Sequence, residues 1–551
     1  MSFEKLLPLN SKRREFAKKI AKKLNIVKPN IDYAYQKWIE QNEPNKEQLE
    51  EQRNYKFEKN PKISIIIPLY KTPENFFDEL VKSLQNQTYS NWELCLADGT
   101  PDEPIKFMKK YLKDSRIKYK YIGENKGISG NTNEALKLAT GDFIGLLDHD
   151  DLLPIFSLYE IVKVINENPN IEFIYTDEDK LEHAKGPRYG VFFKPDPSPY
   201  TLNSANYICH FSIFKKELMD KLQGFRSEYD GSQDFDIVAR AFEETNEIVH
   251  IPKVLYHWRV HQNSTAGNSD SKPYAFEVGK KVIKDHVKRS SNIDVDVEDG
   301  LTPGSYELKY KLKGEPKVSI IVDEENATKQ EIDNIIAKLK QMSYNNTEII
   351  ERNENESINE TIKNSSGEYF IIVDKNLVDI PRKTCIEELL GIAQDENVGI
   401  VGTKLYNNQK LVEHDGIILG MNGIGDFLYK GAPKDVGTYM QRLTIIHNVM
   451  VVLTKYSIIK KSDFIDVNGF EEDYKGITKD IDYCLKLLNN KKQVVLNPII
   501  SFEINPLEIQ KDNEETEKKF LKKWEKQYEK GDIYYSPNLS KSNTGVSLNI
   551  R

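Results

Sequence analysis

The stretch that decides the fold is GDFIGLLDHDD, residues 141–151. Phe143 to Leu147 are mostly apolar and read as a short buried strand, yet Asp148, Asp150 and Asp151 follow at once. Carboxylates this close repel one another and resist burial. A core strand that ends on them makes sense when a cation, or the phosphates a cation carries, sits among them. Asp151 has a second reading of its own, as the cap of the helix that DLLPIFSLYEIV opens.

Upstream, KISIIIPLY (62–70) is a continuous apolar run closed by Pro68, as in a central strand of a parallel sheet covered on both faces. FFDELVKSLQNQ (76–87) has helical spacing, and WELCLADGT (92–100) is a strand ending on Asp98. IKYKYI (117–122) is a third strand, and NTNEALKLA (131–139) is a helix that leads into FIGLL. The alternation predicts an α/β, doubly wound domain whose ligands bind at the carboxyl ends of the strands, where Pro68, Tyr70, Asp98 and the aspartate cluster fall.

At 551 residues the chain is too long for one core. With 78 basic and 86 acidic residues, a net charge of −8, it has no basic surplus for nucleic acid. No secretory leader and no membrane-length apolar run is recognisable. Cys95, Cys209, Cys385 and Cys484 lie far apart and read as reduced thiols of a cytoplasmic protein. Residues 1–60 form a basic helical segment and linker. Within it SKRREFAKKIAKKL (11–24) carries seven basic residues against one acidic, with Phe16, Ile20 and Leu24 on one stripe. That stripe either packs on the body of the protein or makes peripheral contact with the anionic inner face of the plasma membrane.

IIIPLYKTPENF, ADGTPDE, ENKGISGNTNEALKLATGDFIGLLDHDD, YTDEDK, GSQDFDIVAR and YHWRVHQNSTA occur in that order between residues 65 and 266. Together they resemble the family 2 glycosyltransferases of the GT-A fold, in particular those that build bacterial surface glycans and polysaccharides. The resemblance implies a Rossmann-like nucleotide-diphospho-sugar transferase domain over residues 61–290. It implies a UDP- or dTDP-sugar donor, with Pro68, Tyr70, Asp98, Lys126 and Asp148 on the donor side. Asp98 would accept from the ring N–H of uracil or thymine, a donor that cytosine lacks. The family usually has a pair of aspartates there, and this chain has Ala97-Asp98.

Loss of a diphosphate leaves negative charge to neutralise, and the resemblance assigns that task to Mn²⁺ or Mg²⁺ held by Asp150 and His257, with His261 the runner-up. Trp258 and Arg259 would line the diphosphate or the acceptor. An acceptor hydroxyl, on a glycan or a protein, must lose its proton as it attacks, and Asp234 matches the base of inverting relatives. Asp236, two residues on, points elsewhere. TDEDK (176–180) and His210 resemble positions near the sugar. With no QxxRW signature and no membrane helix, one sugar per encounter is expected. A homo-oligomer is compatible with the sequence, which does not fix the oligomeric state.

The second half repeats the first. PKVSIIV (316–322) echoes PKISIII (61–67), and SINETIKNSSGEYFIIVDKN (357–376) echoes NTNEALKLATGDFIGLLDHD (131–150). The pairing sets Asn359 on Asn133, Gly367 on Gly141 and Asp374 on Asp148, while KDIDYCLKL (479–487) sets Asp480 on Asp234. Two GT-A-like domains in tandem are therefore expected, with a hairpin-like linker over 291–315 and the second domain over 316–551. That domain has Asn376 where Asp150 stands, which removes the charge that would hold a metal, so it reads as degenerate. Two other functions stay open: a bifunctional enzyme with two active sites, and a non-catalytic glycan-binding scaffold.

Overall fold

The computed structural model describes residues 32–261, 273–325, 327–352 and 355–550. The basic stripe of residues 11–24 lies outside them. The first sheet contains β1 (Ile63–Leu69), β2 (Trp92–Asp98), β3 (Ile117–Tyr121), β4 (Phe143–Leu146), β5 (Phe173–Leu181), β6 (Tyr189–Phe192), β7 (Ser212–Lys215) and β8 (Ile248–Arg259). Its order is β3-β2-β1-β4-β7-β5-β6, with β8 beside β5. β3, β2, β1 and β4 run parallel. β7 is antiparallel to both β4 and β5, and β8 is parallel to β5. Residues of β1 and β2 are buried on both faces, as their unbroken apolar runs require. The helix Glu74–Gln85 turns Phe77, Leu80, Val81 and Leu84 onto the sheet.

A second sheet follows, in which Val318–Asp323 lies between Thr347–Arg352 and Tyr369–Asp374, all parallel. The repeat extends to single hydrogen bonds. In the first domain Ser64 Oγ accepts from Gly141 N at 2.8 Å and donates to Glu93 at 2.7 Å. In the second, Ser319 Oγ accepts from Gly367 N at 2.9 Å and donates to Glu348 at 2.6 Å. Both glycines are required by close approach: a Cβ would stand 2.5 Å from Lys62 O at Gly141 and 2.4 Å from Ser319 Oγ at Gly367. Asn133 brackets the backbone of Phe225, at 2.8 and 2.9 Å, as Asn359 brackets that of Phe470, at 2.9 and 3.0 Å.

Between the sheets, Val295–Asp299 and Tyr306–Tyr310 pair as an antiparallel hairpin. The helix Tyr33–Asn42 buries Tyr35 and Trp38 in a cluster with Phe193 and Val254 of the first domain and Leu428 and Leu443 of the second. No helix of the described residues is long and apolar enough to cross a membrane. The helix read over 131–139 runs Gly127–Leu136 instead. Its apolar face appears only in its second half, and its first turn is fixed by polar contacts that periodicity does not report, such as Ser129 N to Asp230 at 3.1 Å.

The two asparagine brackets are equivalent, so Asn133→Ala and Asn359→Ala are each expected to lower stability by about 1–3 kcal/mol, measured by chemical denaturation.

Candidate active site

β4 ends where Asp148 begins, and the loop that follows is held by the last residues of β8. Leu152 N donates to His257 O at 3.2 Å and His257 N to Leu152 O at 2.9 Å. Asp151 is buried and accepts from the Tyr256 hydroxyl and, at 2.7 Å, from Arg259 N. Arg259 Nε donates to Asp150 O at 2.6 Å, and its guanidinium meets Glu79 at 2.7 Å. His261, just past the strand, sets Nε2 2.7 Å from Asp150 Oδ2. Strand β8 therefore fastens the loop at five successive points and leaves the side chains of Asp148 and Asp150 to the cleft. The Asp148 side chain is 55 % exposed. The Asp151 carboxyl is pushed well above the usual range by burial and by the nearby charges of Asp150 and Asp148.

His210 faces the same loop. Its Nε2 lies 3.9 Å from Asp148 Oδ2, its Nδ1 lies 3.2 Å from Glu178, and its ring stacks on Tyr256 at 4.5 Å. Burial alone would lower the imidazole, but Glu178 overrules it and raises His210 to about 9. Burial alone would raise Glu178, but Lys194 and His210 hold it at about 2. Lys194 is itself buried and reaches Glu178 at 3.0 Å and Ile208 O at 2.6 Å. The result is a charged row, Lys194, Glu178, His210 and Asp148, that leads from the core into the cleft. Trp258 stands beside it, 5.3 Å from the His210 ring.

Asp234 lies in the first turn of Gln233–Glu244, where Asn206 Nδ2 donates to its Oδ2 at 3.0 Å. Asn206 belongs to the segment that also carries His210, whose Nε2 stands 3.9 Å from Asp148 Oδ2. Asp236 is turned inward and bound by Arg226 and Arg240, at 3.1 and 3.0 Å, as its position two residues on from Asp234 predicts.

Three residues singled out from the sequence meet partners that it did not show. His257 does not face Asp150: its Nδ1 lies 2.5 Å from Asp179 and its Nε2 3.3 Å from Arg188, within a buried network that Tyr35 and Glu43 complete. Asp179 is its register partner across β5 and β8, so the pair is a cross-strand contact, and His261 takes the position beside Asp150. Arg259 is buried, with its guanidinium on Glu79 and the Asp150 carbonyl. Lys126 is tied to Glu134 and Glu124, each at 3.4 Å, and not to the aspartate loop.

Pro68 and Tyr70 stand at the end of β1, Tyr70 41 % exposed. Asp98 ends β2 but is fully buried, accepting from Thr100 N at 2.9 Å, Ile105 N at 3.0 Å and Tyr119 Oη at 2.6 Å. Its carboxylate thereby organises the loop that follows β2 and keeps little capacity for a base. Tyr256, Lys194 and Asn206 carry contacts that the sequence reading did not name. A lysine set between Phe193 and Pro195 was the one visible signal.

Among the described residues, Asp148, Asp151 and His210 bring ligand atoms within 4.8 Å of one another. Of that trio, Asp151 already accepts two hydrogen bonds, from Tyr256 Oη and Arg259 N. Asp150 Oδ2 and His261 Nε2, 2.7 Å apart, also bring together a carboxylate oxygen and an imidazole nitrogen, donor types that a divalent cation takes.

Residues 64–223 match the model of glycosyl transferase family 2. The first domain belongs to that family. An uncharacterized protein of Sinorhizobium fredii is 32 % identical over 472 residues, 78 % of this chain and 51 % of its own length. An O-antigen biosynthesis protein of Myxococcus xanthus is 26 % identical over 490 residues, 82 % of this chain and 38 % of its own. The chain thus spans about half or less of these two relatives. An Escherichia coli UDP-Glc:alpha-D-GlcNAc-diphosphoundecaprenol beta-1,3-glucosyltransferase is 27 % identical over 209 residues, 37 % of this chain and 80 % of its own.

The corresponding crevice of the second glycosyl transferase-like domain is internally neutralised. Lys455 Nζ meets Asp374 at 2.9 Å and Asp323 at 3.4 Å, and Arg352 meets Asp323 at 2.5 Å. Tyr456 donates to Asp374 at 2.6 Å. Asp480, the counterpart of Asp234, is buried and accepts from Thr454 N at 2.9 Å and Oγ1 at 2.6 Å.

Lys455→Met would leave two crowded carboxylates without their shared cation. It is expected to cost about 1–3 kcal/mol in chemical denaturation, and adding Asp374→Asn should recover much of the loss.

Proposed function

We propose that the first domain is an inverting, metal-dependent glycosyltransferase. It moves a hexosyl, N-acetylhexosaminyl or rhamnosyl group from a UDP- or dTDP-linked donor to a hydroxyl of a growing bacterial surface glycan. The observation that carries the reading is the fastened aspartate loop at the end of β4, with the Asp148 side chain exposed and Asp150 Oδ2 2.7 Å from His261 Nε2. The names of the Myxococcus xanthus and Escherichia coli relatives support a surface-glycan acceptor carried on a lipid diphosphate.

Asp150 and His261 would hold Mn²⁺ or Mg²⁺, which would neutralise the charge that collects on the departing diphosphate. Tyr70 packs against the base, and Asp148 orients the ribose from the opposite side of the loop. Asn206 fixes one oxygen of Asp234, and the other takes the proton from the acceptor hydroxyl as that oxygen attacks the anomeric carbon. Trp258 and the protonated His210 border the sugar. Among its described residues the second domain has no comparable seat, because Lys455 and Arg352 occupy its carboxylates, and this favours one active site over two.

The test is transfer from UDP- and dTDP-sugars to a lipid-diphosphate-linked glycan, with and without Mn²⁺. Asp234→Asn is expected to lower kcat by roughly 10²–10⁴-fold with donor KM little changed. Asp150→Ala and His261→Ala should both raise the Mn²⁺ concentration needed for activity, and His257→Gln should not. Full activity of Asp234→Asn, or a metal requirement that follows His257, would overturn the assignment.

A further inference from the structure

The stretch 193–211 has two sides. One is bound to the second domain. The Tyr439 hydroxyl accepts from Phe193 N at 2.5 Å and donates to Phe193 O at 3.2 Å. Asn448 Oδ1 accepts from Ser198 Oγ at 3.2 Å and from Tyr200 N at 2.9 Å, and its amide is oriented by Nδ2 donating to Gln493 at 2.9 Å. Tyr200 Oη donates to Asp395 at 2.8 Å, and Asp196 N to Ile533 O at 2.8 Å. Ser198, Tyr200 and Asn448 are all buried, so these bonds are made without competing water.

The other side faces the first domain's cleft. Lys194 supports Glu178, Asn206 holds Asp234, and His210 stands 3.9 Å from Asp148. Within the stretch, the only helix, Pro199–Ser204, has six residues and is too short to be stable by itself. Its placement comes from what it is docked on: Asn448 of the second domain, and the hairpin, through the Ala205–Ser305 bridge and the Tyr200–Tyr310 ring contact.

We propose that the second domain is a positioning domain for the first: Tyr439 and Asn448 hold the stretch that sets Asn206 against Asp234 and His210 against Asp148. A crevice closed by its own lysine and arginine then has a use that needs no chemistry of its own. Tyr439 and Asn448 are positioning residues. A displacement of about 1 Å at the base is enough to lower turnover up to a hundredfold.

The claim about turnover rests on the reaction proposed above, so the test includes a readout that does not. In the full chain, Asn448→Ala is expected to speed amide hydrogen exchange in peptides covering 198–211, while peptides covering 148–152 and 256–259 keep their protection. Turnover should fall roughly ten- to a hundredfold with donor KM unchanged. Tyr439→Phe should repeat the effect at the other end of the stretch. Unchanged exchange in both variants would overturn the proposal. So would a uniform rise across both domains with a lowered Tm, which would mark a loss of general stability. A wild-type chain without transferase activity would count against the proposed reaction, and the exchange pattern would still decide the positioning claim.

Discussion

Three carboxylates at the end of one strand repel each other, and the first domain is arranged around that repulsion. Asp151 is removed from the cleft by the Tyr256 hydroxyl and the backbone of Arg259, and its burial favours the neutral acid. Arg259 brings a cation under the loop, where Glu79 and the Asp150 carbonyl hold it. What remains is Asp148, exposed beside His210, and Asp150, half-buried beside His261. The loop is thus rigid in its backbone and charged in its side chains, the condition for electrostatic stabilisation without reorganisation. The N-terminal helix contributes indirectly, since Tyr35 bonds Asp179, and Asp179 holds His257 in the strand that fastens the loop.

The second domain meets the same repulsion by another route. It keeps the serine, glycine and asparagine that build the repeat, and it keeps Asp374 at the position of Asp148, but it adds a carboxylate, Asp323, where the first domain has Pro68. Two side-chain cations of its own, Lys455 and Arg352, neutralise them. The second domain thus shares the packing of the first and holds internal ion pairs where the first presents its aspartate loop, while a different set of residues, Tyr439, Asn448 and Asp395, docks on the first domain.

Much of this was legible in the sequence because backbone demands leave sharp traces. The apolar runs at 62–70 and 316–322 and the glycines at 141 and 367 mark positions where geometry admits few residues. Asp234 and Asp236 were separable because neighbours on a helix face different ways. His257 and His261 were not. Which of them meets Asp150 depends on β8 ending at Arg259, and strand ends are not fixed by local pattern. The partners of Arg259 and Lys126 were not legible for a related reason: a cation read from a motif shows its charge and not the carboxylate it meets. The row from Lys194 through Glu178 to His210 joins three distant segments by side chains alone, and no periodicity reports such contacts.

The proposed single cation seat at the end of β4 can be tested with crystals of the chain grown with UDP and Mn²⁺, measured at a wavelength where manganese scatters anomalously. One anomalous peak bonded to Asp150 and His261 is expected, and none between Asp323 and Asp374, where Lys455 stands. A peak in the second domain, or one bonded to His257, would contradict it.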